Sequence, residues 1–190
     1  MVIGPMVMYR MVAQQTSLPP ETDALIEQVA GEFVHRLFPS FRMPAFLACP
    51  DAACTQAVLA AIEQAAAAKG VATEVVDLRS APAERLARVT ARLGGFHGRP
   101  DGQEVPAVRV LALDGFDLLE GEDNDAPIYP FRSQFQFDED YRWLFLGRNW
   151  QRLRRLFGSY RLPLYHAASD LTPESWRIAS PASPSARKAR

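Results

Sequence analysis

The chain has 190 residues, of which 48% are hydrophobic, with a formal net charge of −1 and two cysteines. This composition allows one domain with a buried core, excludes a disulfide framework, and gives no overall charge that favours nucleic acid or membranes. No stretch approaches the roughly 18 apolar residues of a membrane-spanning helix, and no basic leader precedes an apolar run, so we expect a cytoplasmic protein. We expect residues 1–20 to be flexible, residues 21–175 to form one domain, and residues 176–190 to be a disordered tail.

Hydrophobic periodicity and turn residues predict helices and strands that largely alternate along the chain. In chain order we predict a helix over residues 19–38, a strand over 43–49, a helix over 55–69, a strand over 71–79, a helix over 81–95, strands over 108–113 and 141–147, a helix over 149–161 and a strand over 162–169. Short apolar strands separated by helical crossovers are typical of a parallel sheet covered on both faces. The sequence therefore predicts an α/β fold, a three-layer sandwich around a five-stranded parallel sheet.

The segment PIYPFRSQFQFDEDY, which precedes the fourth strand, is too aromatic for a solvated linker. Its aromatic residues are Tyr129, Phe131, Phe135 and Phe137. They either pack as a helix against the sheet or form an exposed patch for a partner. The four-residue spacing of Phe131 and Phe135 favours the packed helix.

The stretch ACPDAACT joins the first strand to the second helix, where many α/β proteins bind phosphate. A phosphate-binding loop has the form GxxxxGK[ST], and in that frame Ala48 and Ala53 replace the glycines, Cys54 replaces the lysine, and Thr55 keeps the hydroxyl. Asp51 adds a negative charge where phosphates would lie. The alternative is an ordinary strand–helix turn that is capped by Asp51 or Thr55.

Two later stretches accompany this loop. LALDGFD places Asp114 at the end of the third strand, with Asp117 three residues further on, and LFLGRN places Asn149 just past the fourth strand. Together with the element order, these stretches resemble the AAA+ and related P-loop NTPases over residues 23–171. The resemblance implies that Asp114 organises Mg²⁺, that Asp117 reaches the same site, and that Asn149 is a polar sensor of the γ-phosphate.

The missing lysine makes ATP hydrolysis improbable for such a domain. We expect no cofactor, or at most weak binding of Mg-ATP. The degenerate nucleotide site would comprise Ala48, Ala53, Cys54, Thr55, Asp114, Asp117 and Asn149. The resemblance then implies a catalytically inactive or weakly nucleotide-binding AAA+-like protein, a pseudo-ATPase that acts through protein–protein contacts. By analogy, its partner would be an active ATPase in a bacterial DNA-handling or defence assembly.

A thiol-redox enzyme of the glutaredoxin type is the alternative function. Cys49 lies at the end of the first strand and Cys54 at the start of the helix, where the helix dipole lowers a thiol pKa. The loop separates the two cysteines by four residues rather than two, so they can be bridged only if the loop folds back. The cysteines are otherwise small buried residues beside the sheet.

The region around the last long helix is rich in arginine and aromatic residues. Helical spacing groups Arg148, Arg152 and Arg155 on one side of this helix. Three interpretations remain open: a solvated face balanced by acidic residues, a protein interface, and a nucleic-acid surface. In AAA+ rings the corresponding helix lies near the subunit interface, so the resemblance implies that an arginine here reaches a neighbour's nucleotide. The balancing acids would be Glu120, Glu122, Asp123, Asp125, Asp138, Glu139 and Asp140.

The three histidines, His35, His97 and His166, show no spacing that is typical of a metal site. We predict no metal site, and we interpret His166 as a structural residue of the fifth strand.

Overall fold

The structure, a computed structural model, describes residues 20–36, 43–94, 108–121, 127–138 and 140–179. Its helices are α1 (Pro20–His35), α2 (Ala52–Ala67), α3 (Pro82–Gly94), α4 (Ile128–Phe137), α5 (Trp150–Gly158) and α6 (Glu174–Ala179), with a short 3-10 helix at Phe116–Leu119. Its strands are β1 (Ala45–Ala48), β2 (Ala72–Asp77), β3 (Arg109–Asp114), β4 (Tyr141–Gly147) and β5 (Ser169–Asp170). None of the helices within these ranges is both long enough and apolar enough to span a bilayer.

The five strands form one sheet in the order β2-β3-β4-β1-β5, and every neighbouring pair is parallel. The predicted five-stranded parallel sheet is therefore confirmed. Because all strands run the same way, their carboxyl ends meet at one edge of the sheet, where α/β proteins bind ligands.

Apolar side chains on the central strands alternate between two separate cores. Leu47, Val110 and Leu144 face α1, α2 and α6 on one side of the sheet. Phe46 and Phe145 face α3, α4 and α5 on the other side. Strands that are buried on both faces have no polar face to show, which is why they read as continuous apolar runs in the sequence. The three-layer arrangement is as predicted.

The aromatic segment before β4 is the packed helix α4. Phe131 and Phe135 are buried, and their rings lie 5.3 and 5.9 Å from the Trp143 ring between centroids. Tyr129, by contrast, is 58% exposed. The side chain of Phe137 lies outside the described residues. The prediction of a packed helix is confirmed, and the sheet face that it covers is largely aromatic.

The fifth strand was placed wrongly. Residues 162–168 form turns, and β5 comprises only Ser169 and Asp170, which pair with Ala45 and Phe46 of β1. The apolar character of the predicted strand comes instead from Leu164, which is fully buried beneath the turns. His166 consequently lies in a turn and not in a strand, and its side chain is exposed.

The predicted domain limits also need one correction. The disordered tail was expected from residue 176, but residues 176–179 belong to α6, and Trp176 is buried against the α1–α2 side of the sheet. The remainder of the predicted tail and residues 1–19 lie outside the described residues. The helix after β1 also starts earlier than predicted, at Ala52 rather than at residue 55, because Asp51 caps it.

Candidate functional site

The carboxyl edge of the sheet brings the predicted site residues together. β4 lies between β3 and β1, with Asp114 opposite Leu146 and Ala48 opposite Gly147. The Cys49 N–H continues this pairing by donating to the Gly147 carbonyl at 2.9 Å. The β1–α2 turn, the end of β3 and the β4–α5 turn that contains Asn149 are therefore neighbours, as the resemblance implied.

Several hydrogen-bonding groups of the β1–α2 turn have partners within the protein. The Asp51 carboxylate accepts the Cys54 N–H at 2.8 Å and so caps α2. The Thr55 hydroxyl, which is buried, donates to the Asp51 carbonyl at 2.9 Å. The Ala48 N–H donates to the hydroxyl of Thr172, beyond β5, at 3.0 Å. A phosphate loop needs free N–H groups and a free hydroxyl, whereas here the Ala48 and Cys54 N–H groups and the Thr55 hydroxyl have intramolecular partners.

The two cysteine thiols lie side by side in the core. The loop folds back so that Cys49 and Cys54 interact, and both side chains are buried and unbridged. The pKa of the Cys49 thiol is raised well above its ordinary value, first by its hydrogen bond with the Cys54 thiol and next by burial. A redox-active thiol requires access and a lowered pKa, so burial and this shift both oppose a redox role for Cys49.

Asp114 is held by an arginine that the sequence analysis did not identify. The Arg79 guanidinium, two residues beyond β2, makes two hydrogen bonds to the Asp114 carboxylate, Nη2–Oδ1 at 2.6 Å and Nε–Oδ2 at 3.2 Å. Both side chains are partly buried, 23% and 15% exposed. Gly115 has φ +88°, and a Cβ there would lie 2.8 Å from Arg79 Cγ. The absence of a side chain at Gly115 thus lets Arg79 lie across the end of β3.

Asp117 is buried beneath the β4–α5 turn. One oxygen of its carboxylate accepts the Asn149 N–H at 3.1 Å. A Cβ on Gly147 would lie 2.6 Å from the other oxygen, so this close approach requires glycine there. Burial raises the pKa of Asp117, and the Arg148 backbone N–H and the Arg79 charge oppose that rise. Through its hydrogen bond with the Asn149 N–H, Asp117 connects the 3-10 helix to the β4–α5 turn.

Asn149 caps α5. The Asn149 side-chain oxygen accepts the Arg152 N–H at 3.1 Å, and Asn149 is only 9% exposed. The side chain that the resemblance would assign to a γ-phosphate is therefore engaged at the start of the helix.

The three arginines that were predicted to share one side of a helix, Arg148, Arg152 and Arg155, are arranged differently. Arg148 precedes the cap of α5 and is outside the helix, so helical spacing relates only Arg152 and Arg155. Arg155 makes two hydrogen bonds to Glu120, at 2.8 and 3.3 Å, and Arg152 Nε lies 3.6 Å from the same carboxylate. Of the acidic residues that were expected to balance the arginines, Glu120 is therefore seen to do so. Glu122, Asp123, Asp125 and Glu139 lie outside the described residues.

The two histidines that the structure describes, His35 and His166, do not lie at this edge. His35 is the exposed last residue of α1, His166 lies in the α5–β5 turns, and His97 lies outside the described residues. Within the described ranges, no group of three or more His, Cys, Asp or Glu side chains is placed to hold a metal ion.

Three residues at the edge were not found from the sequence: Arg79, Gly147 and Thr172. The sequence contained one indication of Arg79. Asp77 and Asp114 end β2 and β3, which are neighbours in the sheet, and two adjacent carboxylates are stabilised by a nearby cation. Gly147 and Thr172 act through contacts between segments that are distant in the chain, and no local pattern indicates them.

No protein-family model and no curated protein sequence matches this chain. Solved structures that are similar to it include the following two. The Orc1 protein of Aeropyrum pernix in complex with DNA aligns with a TM-score of 0.54 and 15% identity, over 82% of this chain and 45% of that chain. A Walker-type ATPase of Pyrococcus abyssi aligns with a TM-score of 0.46 and 11% identity, over 80% of this chain and 52% of that chain.

This chain thus spans about half the length of the structures it matches. At such identity the similarity to Orc1 shows the fold alone. The chain has the five-stranded parallel α/β fold of the P-loop ATPases.

Proposed function

We propose that the protein is a non-hydrolysing, ATPase-like subunit that acts by contact with an active ATPase and binds Mg-ATP weakly or not at all. The observation that carries this proposal is the β1–α2 turn. It contains no lysine, and the Cys54 and Ala48 N–H groups and the Thr55 hydroxyl all have intramolecular partners. A triphosphate would have to displace the Asp51 carboxylate, which also repels it.

The Arg79–Asp114 pair supports the same proposal. In the related ATPases the acidic residue at the end of this strand organises Mg²⁺, whereas here its carboxylate accepts two hydrogen bonds from a guanidinium. A metal ion would have to replace this partly buried, charge-assisted pair. Asp117 is a poor substitute because its carboxylate is buried and accepts a backbone N–H.

Contact with another ATPase is the positive part of the proposal. The interface residues would be Arg148, Arg152 and Arg155. The Glu120 carboxylate pairs with the Arg152 and Arg155 guanidinium groups, and arginine is a residue type that is enriched at protein interfaces. A DNA-handling or defence assembly in a bacterium is the setting that we propose, and the DNA in the Orc1 structure is compatible with it.

Calorimetric titration with Mg-ATP tests the nucleotide part. We expect no saturable binding below about 1 mM, which corresponds to roughly −4 kcal/mol. Asp77→Ala is the matched control for Asp114→Ala, since both carboxylates end neighbouring strands. Binding that disappears in Asp114→Ala but persists in Asp77→Ala would identify a working nucleotide site and refute the inactive form of the proposal.

Reconstitution with the partner tests the protein contact. The tagged chain is purified from its source cells, the ATPase that accompanies it is produced separately, and its hydrolysis rate is measured with and without the chain. We expect the chain to change that rate and Arg155→Ala to weaken the effect, whereas Arg92→Ala, on α3, leaves it intact. If no ATPase accompanies the chain, or if its rate does not respond, the contact proposal is wrong.

A further inference from the structure

The loop between α5 and β5 is a preformed surface whose residues take no part in the site described above. It comprises residues 159–168 and lies toward the opposite end of the sheet, because α5 leads away from the carboxyl edge and β5 begins beside Ala45. Its shape is fixed by backbone bonds, the Leu162 N–H to the Ser159 carbonyl at 3.0 Å and the His166 N–H to the Phe157 carbonyl at 2.9 Å.

Two further contacts hold the loop against the core. Leu164 is fully buried among the aromatic residues of the α3–α5 side, and the Arg132 guanidinium on α4 donates to the Pro163 carbonyl. His166 has φ +55°, a left-handed conformation that costs a non-glycine residue roughly 1 kcal/mol or more. The fold keeps this conformation, and a ligand would bind without first ordering the loop.

The loop presents two aromatic rings, each beside a nitrogen-containing side chain. Tyr160 is 73% exposed, with the Arg161 guanidinium 5.4 Å from its ring centroid. Tyr165 is 39% exposed and packs edge-to-face with His166, at 4.0 Å between centroids.

Arginine is frequent in this part of the sequence. Residues 141–169 contain six arginines and no acidic residue. Arg152 and Arg155 meet Glu120, but Arg154 instead lies 5.1 Å from the Trp150 ring, and Arg161 contacts Tyr160. Neither Arg154 nor Arg161 has a carboxylate partner among the residues that the structure describes.

We propose that this loop binds single-stranded nucleic acid. Bases would stack on Tyr160 and Tyr165, and the phosphates would contact Arg161 and Arg154. Exposed aromatic rings with neighbouring guanidinium groups are the combination that single strands use, since their bases are free to stack. Duplex DNA keeps its base faces covered, so these rings favour a strand whose bases are free to stack. The proposal goes beyond the function proposed above and uses other residues, so either can fail alone.

Fluorescence anisotropy with labelled oligothymidine and oligouridine tests the proposal in the full chain. We expect salt-sensitive binding of one or both, and a loss of about tenfold in affinity for Tyr160→Ala, the value of one base–aromatic stack. Tyr160→Phe should retain most of the affinity because the ring remains. Tyr129→Ala, which removes an exposed tyrosine on α4, is the matched control and should leave the affinity unchanged.

Several results would overturn the proposal. They are the absence of binding to either oligonucleotide, tighter binding of a duplex of the same sequence, and equal affinities of wild type, Tyr160→Ala and Tyr165→Ala. If the Tyr160→Ala variant loses the ATPase contact but no oligonucleotide binds, the loop is a protein interface. Circular dichroism of each variant checks the fold, which these exposed side chains should not alter.

Discussion

At the scale of single residues, the Arg79 guanidinium pairs with the partly buried Asp114 carboxylate at the candidate site. We expect Arg79→Met to lower the free energy of unfolding by about 2 kcal/mol, since it leaves a carboxylate that is only 15% exposed without a partner. Urea denaturation measures the change. Arg92→Met is the control: its pair with Glu74 is 40% and 35% exposed, so we expect a loss of about 0.5 kcal/mol or less.

A double variant separates the loss of the ion pair from a general disturbance. Arg79→Met combined with Asp114→Asn leaves no unpaired carboxylate, and we expect it to be more stable than the sum of the two single losses predicts. Strictly additive losses would show that Arg79 and Asp114 are not coupled.

Asp117 should make stability depend on pH in the opposite direction to most carboxylates. Its pKa is raised by burial, so the folded protein takes up a proton at a higher pH than the unfolded chain, and stability falls as pH rises through the folded pKa. Relative to Asp117→Asn, the wild type should therefore gain stability as pH is lowered, until the gain is complete near the unfolded pKa of about 3.9. Unfolding curves across this pH range measure it, and a wild type that loses stability relative to Asp117→Asn as the pH is lowered would contradict the raised pKa.

At the scale of secondary structure, Asn149 determines where α5 begins. Its side-chain oxygen accepts the Arg152 N–H, and we expect Asn149→Ala to cost about 1 kcal/mol whereas Asn149→Ser costs much less. The Asn149 N–H still donates to Asp117 in both variants, so thermal or urea unfolding of the pair isolates the cap. Equal losses in the two variants would mean that the side chain acts in some other way.

The elements differ in how well their sequences indicated them. β4 was predicted over the residues that form it because its last five residues, 143–147, form an uninterrupted run of apolar residues and glycine, and all five are buried. β5 was missed because two residues carry no periodicity, while Leu164 in the preceding turns suggested a strand. α6 did have a start signal, proline just before the helix at Pro173, but the polar composition after it hid this signal.

At the scale of the whole molecule, the two cores share one sheet. Trp176 belongs to the α1–α2 side and Trp143 to the α3–α5 side, and β1, β3 and β4 contribute side chains to both. We expect a single cooperative unfolding transition. Two double variants each retain one tryptophan: Trp143→Phe/Trp150→Phe keeps Trp176, and Trp150→Phe/Trp176→Phe keeps Trp143. In each variant, the unfolding transition measured by tryptophan fluorescence should coincide with the transition that circular dichroism measures for the same variant. Fluorescence that departs from circular dichroism in either variant would show that the two sides unfold separately.

The sequence indicated the place of the candidate site better than its chemistry. Asp114, Asn149 and the β1–α2 turn were expected at one edge because parallel strands put their ends together, and they lie there. The partners that occupy them were not expected. Arg79 and Thr172 reach this region from separate segments of the chain, and such pairings depend on tertiary packing, which local patterns do not encode.

The tight contact between Gly147 and Asp117 also constrains how this protein can change over evolutionary time. A methyl group at 147 would collide with the carboxylate, so alanine there is tolerated only if position 117 first becomes smaller. Mutational paths through this pair therefore have a required order. Sequences descended from the same ancestor should show the two positions substituted together, with glycine at 147 kept wherever an acidic residue stands at 117.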